Sequence, residues 1–290
     1  MIRRFVPLAA AVLAAGVSLG VLAAEVPRTP HVVFVTGDDE YRSEVSMPML
    51  AQILEQKYGM RTSVAYARPT PQDHGRIEGL EALETADLMV MFTRYRAIPD
   101  DELNRILTYT QSGKPMVGFR TSTHAFSYPK GSPHEDLNGG FGLEMWGQKW
   151  IAHHGHTSTT AVSVRPDARG NPILNGVDDF PAKSWLYHVE PISGPATILL
   201  MGRSLNSEKK DTTTYPLTQP VAWTREHKGA RVFFTTLGHP GDFEQPSMRR
   251  LAVNAILWAL GREVPKGGAD ATPVTPYVAP ESFDLSKMPK

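Results

Sequence analysis

The chain has 290 residues and no cysteine. That absence excludes a disulfide scaffold, a thiolate nucleophile, a Cys-ligated zinc or iron–sulfur centre and a cysteine-linked lipid anchor. Neither sign of charge is in excess: 30 Lys and Arg balance 30 Asp and Glu, for a formal net charge of zero. A nucleic-acid partner would want a basic face, so none is expected. No internal repeat is visible. A long uncharged apolar run occurs at the N terminus, residues 5–21, preceded by Arg3 and Arg4 and followed by Ala23 and Ala24. Positive flank, apolar stretch and small residues read as a signal peptide over 1–24, removed on export. The competing reading is a retained membrane anchor, because the run is nearly long enough to span. Export implies a periplasmic or secreted protein with no membrane span once the segment is gone.

From residue 31 the pattern alternates. Residues 31–36 (HVVFVT) are a β-branched run ending at Gly37, followed by the ionisable loop Asp38-Asp39-Glu40-Tyr41-Arg42-Ser43-Glu44. A helix follows, with Met47, Leu50, Ile53, Leu54 and Tyr58 on one face and Gly59 as its stop. Residues 63–67 and 87–92 read as strands, and the second ends at Arg94-Tyr95-Arg96. Pro99 and the acids behind it open another helix. Residues 116–119 form a buried strand that spills into Arg120-Thr121-Ser122-Thr123-His124. Residues 127–194 are irregular, with short strands. Strands at 197–201, 220–224 and 231–236 follow, the last two joined by a Lys228-Gly229 turn. A loop at 238–242 and a helix from 246 to 260 close the pattern. The expectation is an α/β fold with a mostly parallel sheet and helices on both faces. One domain spans 29–264, and a Pro- and Gly-rich tail spans 265–290, extended and draped over it.

In such sheets ligands sit beyond the carboxyl ends of the strands. The candidate site is therefore where the loops at 37–44, 94–96, 120–124 and 238–242 meet, covered by the loop bearing His153, His154 and His156. His124 or His154 would move a proton and Glu40 would act as base or orient it. Arg120 would stabilise developing negative charge. Asp38, Tyr41, Glu44, Arg94, Arg96, His156, His188 and His239 are candidate substrate contacts. The bland readings stay beside these: a solvated loop for the acids, ordinary surface arginines, and core packing for Trp146, Trp150, Trp185 and Tyr187, which could otherwise wall a bound ligand. Ser122 reads as a turn hydroxyl, because its neighbours Arg120 and His124 are too bulky for a nucleophile elbow. No cofactor is expected. A divalent metal has only His153, His154 and His156 as candidate ligands, with a hydrogen-bonded histidine cluster as the competing reading. In an extended segment His154 and His156 share a face and His153 points away.

Several segments carry a family likeness: residues 32–37 (VVFVTG), 112–118 (SGKPMVG), 220–225 (PVAWTR), 229–239 (GARVFFTTLGH) and 256–261 (ILWALG). Together they resemble the ThuA-like family, named for trehalose utilisation, whose fold is that of the class I glutamine amidotransferases. The resemblance implies a flavodoxin-like α/β domain and a sugar or sugar-derived ligand. With such a ligand the acid–base groups named above fit isomerisation or hydrolysis of a sugar or keto-sugar, with a non-catalytic sugar-binding module and a metal-dependent hydrolase as alternatives. A homo-oligomer is left open. Two departures stand out. Amidotransferases carry a Cys on the turn after the strand matching residues 116–119, and this chain has none, so glutaminase chemistry is excluded. ThuA-like proteins often place a His directly after that strand; Arg120 occupies the position here, with His124 four residues on.

Overall fold

Hydrophobic runs with a period of two place alternate side chains on opposite faces of a sheet. β1 (His31–Gly37) does this: Val32 and Phe34 pack into one apolar cluster, Val33 and Val35 into another. The structure is a computed structural model, and it describes residues 1–2, 28–189 and 191–282. The expected signal segment lies outside the described residues. Among those described, no helix is long and apolar enough to cross a membrane.

α1 (Ser43–Tyr58) follows β1 and ends at Gly59 in the left-handed conformation. β2 (Arg61–Ala67), the short β3 (Ile77–Glu78) and β4 (Leu88–Thr93) come next. α2 (Asp100–Gln111) starts behind Pro99 with three acids in its first turn, where the helix dipole favours them. β5 (Met116–Phe119) leads through a 3-10 turn, Arg120–His124, towards α3 (Leu137–Trp146). β6 (Thr159–Val164), β7 (Phe180–Ala182), β8 (Ala196–Leu205), β9 (Thr218–His227) and β10 (Ala230–Thr235) complete the strands, and α4 (Pro246–Ala259) closes the domain.

The ten strands form one sheet in the order β3-β2-β1-β4-β5-β10-β9-β8-β6-β7. β2, β1, β4, β5 and β10 are mutually parallel. The other pairings are antiparallel. The expected mostly parallel, flavodoxin-like sheet is therefore corrected to a mixed α/β sheet. The physical reason is the turn at Lys228 (φ 50°) and Gly229 (φ 77°). A two-residue hairpin can join only antiparallel neighbours, so β9 reverses against β10, and β8 and β6 continue the reversal outward.

Both faces of the sheet are covered. α1 and α4 pack on one side through Met47, Leu50, Ile53, Leu251, Ala255 and Ile256. α2 and α3 pack on the other through Leu103, Ile106, Phe141 and Trp146. After α4 the chain crosses that helix: Asn254 receives the Ala269 N–H at 2.8 Å, and Arg249 and Arg250 donate to the Ala271 and Ala269 carbonyls. Tyr277 then donates to the Pro240 carbonyl at 3.1 Å.

Candidate functional site

Parallel strands end on the same edge of a sheet. β1, β4, β5 and β10 are in register there, with Gly37 opposite Thr93, Met91 opposite Gly118 and Thr235 opposite Phe119. Their outgoing loops bring Tyr41, Arg94, Arg120, His124 and His239 to one edge. α3 sits tightly on the 120–124 turn: a side chain on Gly142 would overlap the Thr123 carbonyl. The Trp146 indole donates to the Ser122 carbonyl at 2.9 Å, and Ser122 Oγ donates to the Met91 carbonyl at 2.9 Å. Ser122 is a turn hydroxyl here.

Arg120 is fully buried, at φ 38°. Its Nη1 donates to the Thr236 carbonyl at 2.8 Å and the Trp185 carbonyl at 3.2 Å, and its Nη2 donates to the Tyr41 hydroxyl at 3.0 Å. The guanidinium lies 4.4 Å from the ring centres of both Tyr41 and Tyr187 and 5.9 Å from that of Trp185. Among the described residues no carboxylate pairs with it, and its Nε has no hydrogen-bond partner. Burial works against its charge, but the phenol oxygens of Tyr187 and Tyr41 outweigh that, and its pKa is raised.

Three imidazoles surround this cation. The His124 ring lies 4.9 Å from Tyr95, 5.4 Å from Trp150 and 6.5 Å from Tyr187, and its Nδ1 is 3.0 Å from Thr123 Oγ1. The His153 ring lies 5.0 Å from Trp185 and 4.9 Å from His156, and His156 stands edge-on to Trp185 at 4.4 Å. His239 lies 6.0 Å from Tyr41. Burial, followed by the charges of Arg94 and Arg120, holds the His124 pKa well below its usual value. Burial and then Arg120 bring His153 down to about 4. Burial also lowers His239, with Arg120 acting in the same direction and Asp242 against it. All three are neutral near pH 7.

The carboxylates divide the labour differently from expectation. Asp38 is buried: its Oδ1 accepts the Glu40 N–H at 2.7 Å and the Tyr41 N–H, and its Oδ2 accepts the Thr121 hydroxyl. Burial pushes its carboxyl up to about 6. It fixes the Tyr41 loop to the Arg120 turn and offers no free edge to a ligand. Asp39, not a candidate from the sequence, pairs with Arg94 at 2.9 Å and with His74 at 2.8 Å. Burial opposes its charge, but His74 and Arg94 outweigh that and hold it below the usual value. Glu40 lies 3.3 Å from Arg94 Nε, without hydrogen-bond alignment.

Four candidates do not join. Glu44 pairs with Arg42 at 2.5 Å and lines a separate 150 Å³ cavity with Tyr66, Arg68 and Pro71. Arg96 is buried and gives its N–H groups to the Arg94, Asp73 and Pro71 carbonyls at 2.8, 2.6 and 3.0 Å. It staples the 71–73 loop. His154 turns away to Ser207 Oγ at 2.8 Å, and His188 lies beside Gln219 and Tyr215. The cause is Gly155 at φ 105°, which breaks strand alternation, so that His153 and His156 share a side instead of His154 and His156. A side chain at Gly155 would also collide with Glu208. Among the described residues no group of three or more His, Asp or Glu side chains is placed to hold a metal ion. Tyr95 and Thr123, which lie in the expected loops but were not singled out as site residues, join the site; their strand-end positions were the available signal. Trp146, a candidate wall residue, is core, whereas Trp150, 37% exposed, and Trp185 face the imidazoles.

A mixed α/β sheet with a site at its strand ends defines the class. The family model for ThuA, trehalose utilisation, matches residues 30–259, and the chain belongs to that family. No curated protein matches it. Among solved structures it is similar to a ThuA-like protein from Parabacteroides merdae, with a TM-score of 0.57 and 17% identity over 82% of this chain and 93% of that one. It also overlaps the carbohydrate deacetylase Agd3, with a TM-score of 0.47 and 12% identity over 80% of this chain and 32% of that one. A β-galactosidase from Rahnella sp. R3 gives 0.45 and 14% over 84% and 33%. The chain spans about a third of each of these last two, and both likenesses are too loose to bear on function.

Proposed function

We propose that this chain is an exported enzyme of carbohydrate catabolism that isomerises or hydrolyses a sugar or keto-sugar at the strand-end site. The observation that carries this reading is the buried Arg120 guanidinium, with no carboxylate partner among the described residues, whose charge acts on three imidazoles held neutral. A neutral imidazole is a competent base at physiological pH, and a buried cation nearby favours developing negative charge. Family membership supports a sugar as the ligand. Trp150 and Trp185 offer flat apolar faces to a sugar ring.

His124 is the proton-moving group. In this reading the Thr123 hydroxyl gives its one proton to the Arg120 carbonyl 3.2 Å away, and its oxygen accepts from His124 Nδ1–H at 3.0 Å. Nε2 then carries the lone pair and has no hydrogen-bond partner among the described residues. On a keto-sugar, Nε2 takes the proton from the carbon beside the carbonyl. The C–H electrons form a C=C bond and the carbonyl oxygen becomes an enediolate oxyanion. The neighbouring hydroxyl proton passes to that oxygen, and the imidazolium returns its proton to the former carbonyl carbon. No oxidant or reductant is consumed. Arg94, whose charge acts on the imidazole, and Glu40 beside Arg94 are the groups to receive sugar hydroxyls. The apolar segment over 1–24 directs the protein to the periplasm or medium, 29–264 carries the chemistry, and 265–290 is an appended tail.

Turnover assays on a panel of sugars and 3-keto sugars test this. Wild type is expected to convert at least one member, and His124→Gln to lose about 10²–10⁴-fold in kcat. Tight binding of a panel member with no conversion of any would make the chain a binding module and overturn the enzymatic reading.

A further inference from the structure

Two of the three imidazoles share a device that their neighbours lack. His153 Nδ1 accepts the N–H of Gly155 at 3.0 Å, and His239 Nδ1 accepts the N–H of Gly241 at 3.0 Å. Each bond closes a two-residue loop from the backbone onto its own ring. A neutral imidazole has one lone pair and one N–H. A backbone amide can only donate, so it captures the lone pair at Nδ1 and the ring proton must sit on Nε2. Neither Nε2 atom is among the buried unsatisfied atoms, and neither has a protein partner among the described residues. His154 shows that the device is not general: its Nδ1 meets a Ser207 hydroxyl, which can donate or accept, and its Nε2 is buried. The two locked rings flank one aromatic pair. His153 lies tilted 5.0 Å from Trp185, His239 lies 6.0 Å from Tyr41, and Tyr41 and Trp185 meet edge-on at 6.0 Å.

We infer that His153 and His239 are fixed N–H donors of this site. His153 presents Nε2–H to the carbonyl oxygen of a keto-sugar, and His239 presents Nε2–H to a second substrate oxygen across the Tyr41–Trp185 pair. The substrate class rests on the function proposed above. The donor assignment rests on the two backbone bonds alone. A neutral imidazole donor polarises a carbonyl without surrendering a full proton, and it strengthens as the oxygen becomes an enediolate. It also complements His124, whose Nε2 is the acceptor in the function proposed above. A base and an acid of the same residue type are thus set apart by the partner each Nδ1 meets: a threonine oxygen in one case, an amide N–H in the others. His153 then has no lone pair left for a metal ion unless the Gly155 bond breaks.

Two-bond ¹H–¹⁵N imidazole spectra of the uniformly labelled protein, assigned with His124→Gln, His153→Gln and His239→Gln, read the tautomers directly and need no ligand. At pH 7 the expected result is Nε2–H for His153 and His239 and Nδ1–H for His124. Nδ1–H or an imidazolium at His153 or His239 overturns the assignment. Activity on 3-ketoglucose supplies the second arm. Gln places an N–H near the Nε2 position, whereas Ala does not. His153→Gln is therefore expected to keep at least tenfold more kcat than His153→Ala at similar KM. Equal losses overturn the donor role. If wild type fails to turn over 3-ketoglucose while the spectra are as expected, the substrate reading fails and the donor assignment stands.

Discussion

The guanidinium of Arg120 and the ring of Tyr187 lie 4.4 Å apart, and both are buried. Among the described residues this pairing stands where a buried arginine ordinarily meets a carboxylate, and the positive charge of Arg120 acts on the imidazoles around it.

Removing that field should be visible twice. In Arg120→Met, the Thr236 and Trp185 carbonyls and the Tyr41 hydroxyl each lose a donor. Stability is expected to fall by about 3–9 kcal/mol, at roughly 1–3 kcal/mol per stranded buried acceptor. In the folded fraction the pKa values of His124, His153 and His239 should rise. Urea unfolding and an NMR titration measure both; imidazole pKa values that do not move would show that Arg120 is only a structural post.

Arg96 is expected to behave as a staple. Arg96→Met leaves three carbonyls without their donor and should cost about 3–9 kcal/mol by urea unfolding. At a temperature where the variant is folded, KM for any substrate found should stay within about twofold of wild type, a change below 0.5 kcal/mol. A KM rise of tenfold or more at full folding would return Arg96 to the site.

The acid side of the stability profile has a definite sign. His153 titrates at about 4 when folded, below its ordinary value, so between pH 6.5 and 4 the unfolded chain binds more protons and stability falls as pH falls. His124, His154 and His239, also depressed, act in the same direction. Asp38, raised to about 6, opposes them: there the folded state binds more protons, and stability rises as pH drops from 6 towards 4. Denaturation midpoints from pH 8 to pH 4 should therefore decline less steeply in His153→Gln and more steeply in Asp38→Asn. An Asp38→Asn profile parallel to wild type would contradict the assignment of a raised carboxyl.

Gly155 holds the histidine loop. With φ 105°, Gly155→Ala is strained in its backbone, and its methyl would displace the exposed Glu208 side chain. A loss of roughly 1–3 kcal/mol together with loss of the Gly155 amide bond to His153 is expected. Hydrogen exchange at that amide reports it, and unchanged protection would count against the loop geometry.

Gly155 also marks where sequence reasoning stopped. Period-two alternation paired His154 with His156, and that rule holds only while φ stays negative; one left-handed glycine exchanged His153 for His154. The parallel half of the sheet was legible because β1, β4 and β5 are continuous apolar runs, each ending in a polar loop. The antiparallel half was half legible: Lys228-Gly229 announced the hairpin, but nothing local showed that β8 and β6 would extend the same sheet. α3 was missed because Gly139, Gly140 and Gly142 weaken its helical signal, and Gly142 is needed where the helix touches the 120–124 turn. Arg94, Arg96 and Arg120 look alike in the sequence. Only tertiary partners separate an ion-paired arginine, a backbone staple and an unpaired buried cation.

The most direct single measurement is deuterium incorporation into 3-ketoglucose in D₂O, followed by ¹H NMR with wild type and His124→Gln at pH 7. Proton abstraction by His124 Nε2 requires loss of the signal from the carbon-bound proton beside the carbonyl with wild type, and a rate lower by about 10²–10⁴-fold with His124→Gln. Exchange at equal rates in the two proteins, or none above the enzyme-free rate with wild type, would contradict it.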